Sequence, residues 1–206
     1  MPRIEPFEEH SLAYDRWFED HKELYEAELK AIGEIIPKEL AMSVEIGVGS
    51  ARFAAPLGVR FGLDPSRMML KKAMEQGISV CLGVAEELPF SDQSFDLVLM
   101  VTTICFVDSI DAAFAEAYRI IKPDGCIVVG FVDKDSPLGR QYQARKNESK
   151  FYRHATFYST EEVLLHLKRA DFTIDAIRQT LLPGQSTSIV LDGYGSGSFI
   201  AIRALK

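Results

Sequence analysis

From Met42 onward the chain alternates short apolar runs with stretches of helical periodicity, and this alternation restricts its fold more than any other feature. The runs at 42–46, 59–63, 78–82, 95–101 and 126–132 are nearly continuous in apolar residues, as strands are when both faces of a sheet are covered. Helices are expected near 66–75 and 109–121, the second ended by Lys122-Pro123-Asp124-Gly125. The crossover between the first two strands is about as brief as a βαβ unit permits, and Pro56 limits its helix to a turn or so. Residues 137–150 read as a surface helix or mobile cover. Residues 160–169 read as a helix started by Ser159 or Thr160, with Glu161 and Glu162 in its first turn. Runs at 172–182 and 198–203 bracket a segment rich in Gly, Ser and Pro and are expected to pair as antiparallel neighbours across a long loop.

Ahead of this alternation, residues 12–36 place Leu, Ile and aromatic side chains mostly at helical spacing until Pro37. The expected architecture is therefore an α/β, doubly wound, mostly parallel seven-stranded sheet with an antiparallel last strand and an N-terminal helical layer. At 206 residues the chain suits one domain over 1–206, with 1–40 as a helical cap and 41–206 as the core.

At the end of the first strand stands Glu45-Ile46-Gly47-Val48-Gly49, whose glycines allow a sharp turn and a close approach of backbone to a ligand. Asp64 ends the second strand, where a carboxylate can accept hydrogen bonds from both ribose hydroxyls of an adenosine. It could instead cap the helix beginning Pro65-Ser66. A dinucleotide fold shares these two features, but its GxGxxG fingerprint needs glycine where this chain has Arg52, so a pyrophosphate has no helix N-terminus to sit on. An NAD-dependent oxidoreductase is the minor reading, and a non-catalytic module that keeps the fold is another.

Taken in order, 44–54, 61–66, 83–101 and 112–129 resemble successive signatures of the class I S-adenosylmethionine-dependent methyltransferases, of the small-molecule, UbiE-like type. The resemblance implies a Rossmann-like sheet with Glu45, Gly47 and Gly49 under the methionine part of the cofactor, and Asp64 with Pro65 at the ribose. It implies Ala85 and Glu86 at the adenine and Val101 beside the reactive group. The stretch Gly83-Val84-Ala85-Glu86-Glu87-Leu88-Pro89-Phe90 is the most distinctive run. Val84 stands where the family often has an acid, which leaves Glu86 or backbone to meet the adenine amino group. Ala51 replaces the third glycine of the first motif, a change tolerated if it keeps negative φ. Tyr14, Trp17 and Thr102 are the expected acceptor contacts. The aromatics have a plain core role as the alternative, and Thr102 and Thr103 could simply satisfy a strand end.

Methyl transfer from a sulfonium needs alignment and exclusion of water rather than a metal, and no metal ligands are expected. Nor does the sequence name a catalytic base. His154, beside Tyr152 and Tyr158, is the one histidine worth testing. Asp96 reads as structural. The net charge of -7 disfavours nucleic acid despite the basic stretch Arg140 to Arg153, which reads as a solvated helix face. The start MPRIEPFEEH lacks a secretory pattern, and no apolar run is long enough to span a membrane, so a cytoplasmic enzyme acting on a small molecule is expected.

Overall fold

A computed structural model describes residues 4–39 and 41–206. One eight-stranded sheet runs in the order β3-β2-β1-β4-β5-β8-β6-β7. Its strands are β1 (Ser43–Ile46), β2 (Phe61–Asp64), β3 (Ser79–Leu82), β4 (Phe95–Val101), β5 (Ile121–Val132), β6 (Thr173–Thr180), β7 (Leu191–Asp192) and β8 (Phe199–Leu205). The pairings β2-β3, β1-β2, β1-β4 and β4-β5 are parallel, whereas β8 is antiparallel to both β5 and β6. The expected α/β class and the antiparallel pairing of the last two long strands are both observed. The difference is the two-residue strand β7, which the long loop before β8 adds to the free edge of β6.

Successive residues of the central strands go to opposite faces, the period of two that a pleated strand imposes. Val44, Ile46, Val98, Met100, Ile127 and Val129 enter one core layer, under α5 (Ile110–Ile120) and α7 (Thr160–Arg169). Leu97, Leu99, Val101, Val128 and Phe199 enter the other, under α3 (Lys22–Gly33) and α4 (Arg67–Glu75). Among the described residues serines start four helices: Ser66, Ser109, Ser136 and Ser159 accept from Met69, Ala112, Gly139 and Glu162 backbone N–H, and Glu162 completes a capping box at α7.

Two local expectations are corrected. Lys122-Pro123-Asp124-Gly125 does end α5, but it bulges inside β5: Phe95 pairs with Ile121 and Leu97 with Cys126, so these four residues are looped out of the register. Ala51 has φ +63°, not the negative value expected. It is packed into the core, and the tight hydrogen-bonded turns from Val48 to Gly58 impose the left-handed conformation in place of a crossover helix.

The N-terminal layer is three helices, α1 (Glu5–Glu9), α2 (Ser11–Asp20) and α3. Residues 1–3 and 40 of the expected 1–40 cap lie outside the described residues. The 137–150 segment forms α6 (Pro137–Ala144), followed by short 3-10 turns at Lys146–Glu148 and Tyr152–His154. Among the described residues, no helix is long and apolar enough to cross a membrane.

Candidate active site

The C-terminal ends of β1, β2, β4 and β5 open onto a cavity of about 200 Å³, roofed by α1, α2 and the 142–152 segment. That is where an open α/β sheet places its ligands, because the strand order reverses beside β1. At the floor, Gly47 and Gly49 have φ +74° and +52°. A Cβ at Gly47 would overlap the side chain of Thr103, and one at Gly49 would come within 3.3 Å of the Tyr14 hydroxyl. The turn therefore presents bare backbone because nothing larger fits.

Asp64 is 8% exposed and lines the cavity. Its Oδ2 accepts Gly49 N–H at 2.9 Å and its Oδ1 accepts Ser66 N–H at 2.8 Å. Ser66, not Asp64, caps α4, which removes the capping alternative. Burial pushes the carboxyl up to about 6, against the two backbone N–H bonds that favour its charge. Each oxygen keeps a lone pair beyond these bonds, so the carboxylate is held in orientation and can still accept two hydroxyls.

The other sequence candidates divide. Gly47, Gly49, Pro65, Ala85, Glu86, Val101, Thr102, Tyr14 and Trp17 all line the cavity. Glu45 does not: its side chain is 2% exposed and buried on the opposite core face from Ile46, with Oε2 lacking a hydrogen-bond partner. Burial holds its carboxyl well above the usual range. Glu86 reaches the cavity, but its Oε1 accepts from Asp108 N–H at 2.6 Å and Ser109 N–H at 3.2 Å, so it also fastens the loop ahead of α5. Thr102 has φ +51°, an outlier for a β-branched residue, in the strand-end loop facing the cavity. Thr103 Oγ1 donates between Ile46 and Val101 carbonyls, 3.1 and 3.0 Å away, and ties the glycine turn to β4. Asp96 bonds Met42 N–H and Lys122 at the far end of β4, a structural position. His154 is exposed and is not among the residues lining the cavity.

Tyr14 is more than a roof aromatic. Burial, then the charges of Glu45 and Asp64, push its hydroxyl far above the ordinary range. Its ring meets Phe7, Phe18 and Phe151 edge-on at 5.2–6.0 Å, which closes the outer wall. The solvated helix face read at 140–153 is half right. Arg140, Arg145, Lys150 and Arg153 are exposed, while Tyr142, Phe151 and Tyr152 turn into the cavity.

Two acidic positions at the cavity and its roof carry no signature in the sequence analysis above. Asp15 takes Ser50 Oγ and Lys72 Nζ at 2.6 Å and Arg52 Nε at 3.2 Å, pinning α2 onto the glycine turn and α4. Burial alone would raise its carboxyl, but the bonds from Lys72 and Ser50 outweigh it and hold it below the ordinary value. Glu28, on α3, lines the cavity at 4% exposure. Burial pushes it up to about 8. A glutamate on the apolar stripe of Ala27, Ala31 and Ile32 was the available signal.

The residues suit an adenosyl cofactor whose reactive end is cationic: an anchored acid faces the cavity, a bare backbone turn lies beside it, and apolar walls come from Leu63, Val84 and Ala85. They do not suit a dinucleotide, since no helix follows β1 and Arg52 is drawn away to Asp15.

A methyltransferase domain family model matches residues 44–129. The whole chain is similar to a crystal structure from Thermotoga maritima described as a SAM-dependent methyltransferase, possible histamine N-methyltransferase. Identity is 44%, the TM-score is 0.94, and 99% of this chain and 100% of that one are covered. The uncharacterized protein MJ1123 of Methanocaldococcus jannaschii is 38% identical over 97% of this chain and 98% of its own length. The mouse mitochondrial 2-methoxy-6-polyprenyl-1,4-benzoquinol methylase is 42% identical over 38% of this chain and 27% of its own length.

Proposed function

Since the chain belongs to the S-adenosylmethionine-dependent methyltransferases, we propose that it transfers the methyl group of that cofactor to a small-molecule acceptor. The observation that carries the proposal is Asp64, oriented by Gly49 and Ser66 N–H at the edge of a cavity floored by the glycine turn.

When bound, S-adenosylmethionine supplies an electrophilic methyl on a sulfonium whose departure leaves a neutral thioether. The protein's work is then to hold, align and keep dry. Asp64 would accept the ribose hydroxyls, Gly47 and Gly49 would let the chain end of the cofactor lie against backbone, and Val84 and Ala85 would flank the adenine. Val101 and Thr102, at the end of β4, line the cavity where the acceptor would meet the methyl group. Phe7, Tyr14, Phe106 and Phe151 pack together above and exclude water, which would otherwise screen the charges within. The small, aromatic-roofed cavity favours a small acceptor over a macromolecule, and the net charge of -7 acts against a polyanion.

Isothermal titration with S-adenosylhomocysteine tests the reading. Saturable one-site binding that disappears in Asp64→Ala is expected. No heat at millimolar ligand with folded protein refutes it.

A further inference from the structure

Glu28 is the charged group in the cavity for which the cofactor reading has no use. It stands far from Asp64 for a physical reason. Ile32, one turn further along α3, packs on β5 where a Cβ at Gly130 would lie 3.3 Å from its Cδ1. Beyond it, the Ile35 carbonyl accepts from Arg203, which pairs with Val128. Helix α3 therefore runs antiparallel to β5, and Glu28 lies about 6 Å nearer the C-terminal end of β5 than Ile32 does, on the side of Val132, which also lines the cavity. Asp64 ends β2, and β2 and β5 are separated by β1 and β4. Three strand spacings, about 14 Å, separate the strand that ends in Asp64 from the strand that Glu28 lies beside.

At that far side Glu28 has no hydrogen bond or ion pair among the described residues, although it is 4% exposed. A buried acid without a partner costs stability unless a ligand satisfies it. Among the described residues the cavity wall contains Glu28, Asp64 and Glu86 and no lysine, arginine or histidine, so these side chains offer an anionic acceptor no positive charge. The neighbouring surface is aromatic, from Tyr142 on α6 and Tyr152 on the following turn, both near enough to feel the Glu28 charge.

Resting on the methyltransferase reading above, we propose that Glu28 is the acceptor-binding carboxylate and that the acceptor is a small organic amine, held as a cation between Glu28 and the aromatic wall. The ammonium gives a proton to Glu28, which frees the nitrogen lone pair. The N–CH3 bond then forms as the sulfonium C–S bond breaks, with its electron pair left on sulfur. The proton on Glu28 passes to solvent, so that an ammonium and a sulfonium become a methylated ammonium, a thioether and a proton.

The titratable groups facing Glu28 are Tyr25 on its own helix, Tyr142 and Tyr152. Burial drives each of these hydroxyls up, Tyr142 to about 12, so none exchanges a proton near neutrality. Glu28 itself is pushed up to about 8, and binding a cation will make it give up its proton to the medium.

The test uses the full chain saturated with S-adenosylhomocysteine and three matched sets of probes: ethylamine, cyclohexylmethylamine and phenethylamine, each with its alcohol and carboxylate counterpart. Binding is read by calorimetry at pH 7 in two buffers of different ionisation enthalpy. At least one amine is expected to bind tenfold or more tightly than both counterparts, with a buffer-dependent heat that reports proton release. Glu28→Gln should weaken that amine at least tenfold and abolish the proton release, with S-adenosylhomocysteine affinity unchanged. The inference is overturned if no amine binds, if the alcohol or carboxylate binds as well, or if no proton is released. It is also overturned if Glu28→Gln weakens S-adenosylhomocysteine instead, which would make Glu28 part of the cofactor site. The proton-release measurement on the unmutated chain stands even if the variant does not fold. Failure of S-adenosylhomocysteine itself to bind the unmutated chain is the separate result that rejects the methyltransferase reading.

Discussion

A single methyl group added at Gly47 tests how the floor of the site is built. Gly47→Ala keeps φ near +74° only at the left-handed cost for an alanine, about 1 kcal/mol. The new Cβ also overlaps Thr103, and forcing an extra methyl into packed surroundings costs about 1–3 kcal/mol. Thr103 can escape only by turning its Oγ1 away from the carbonyls of Ile46 and Val101, which share its one proton, at about 1–1.5 kcal/mol. The expected loss is about 2–4 kcal/mol by either route. Thr103→Ala alone should cost about 1–1.5 kcal/mol for the shared bond.

Because Thr103 carries most of the clash, the double variant should be more stable than the sum of the singles by about 1–2 kcal/mol. Urea unfolding of the four proteins, with midpoints and slopes compared, measures the coupling. S-adenosylhomocysteine titration of the folded variants should show cofactor affinity lost in Gly47→Ala and only partly restored in the pair. A loss below about 0.5 kcal/mol for Gly47→Ala, or strict additivity in the cycle, would show that the turn has room for a side chain and that Thr103 does not brace it.

Asp64→Asn places an amide NH2 against either Gly49 or Ser66 N–H, and titration should find S-adenosylhomocysteine bound about 10–100-fold more weakly. Asp64 titrates near 6 when folded against an ordinary 3.8, so its contribution to stability is greatest below about pH 4 and is lost as pH rises through about 6. Ribose hydroxyls prefer the ionised form, so cofactor affinity should run the other way, falling by up to about tenfold per unit below pH 6 in the unmutated chain and flat in Asp64→Asn. Arg119 donates to the Leu88 and Phe90 carbonyls while paired with Glu116 and Asp92. Arg119→Met should therefore loosen the 83–94 loop, seen as faster amide exchange there and a loss of about 1–3 kcal/mol in urea. Ala51→Val puts a β-branched residue at φ +63° in a filled core and should cost about 2 kcal/mol or more, where Ala51→Gly is within about 1 kcal/mol of neutral.

What the sequence made legible was whatever repeats with a period or punctuates one. The apolar runs of β4 and β5 and the serines before α5 and α7 carry their own local signal, as do the antiparallel pairing of β6 with β8 and the glycines of the first turn. The sign of φ at Ala51 carries none, because it is imposed by turns that close only when β1 and β2 are side by side. Glu45 and Asp64 are both acids near strand ends, yet they separate in space. Glu45 is one residue before Ile46 and points under the sheet's other face, whereas Asp64 is the last residue of its strand and borders the cavity. Glu28 betrays only its burial, by standing on an apolar helical stripe, since its surroundings include Tyr142 and Tyr152, more than a hundred residues away in sequence.

Asp15 connects these parts. It is the one side chain of the roof that bonds at once to Ser50 and Arg52 on the glycine turn and to Lys72 on α4, the elements that also frame Asp64. A roof attached only by aromatic packing could lift without disturbing the floor. One attached through an acid that pairs with two partly exposed cations is held more firmly, because lifting it would separate Asp15 from Arg52 and Lys72. The 145–154 segment is held differently: it meets the rest of the roof through the rings of Phe151 and Tyr152. The roof is thus pinned by ion pairs at the glycine turn and by ring packing at the 145–154 segment.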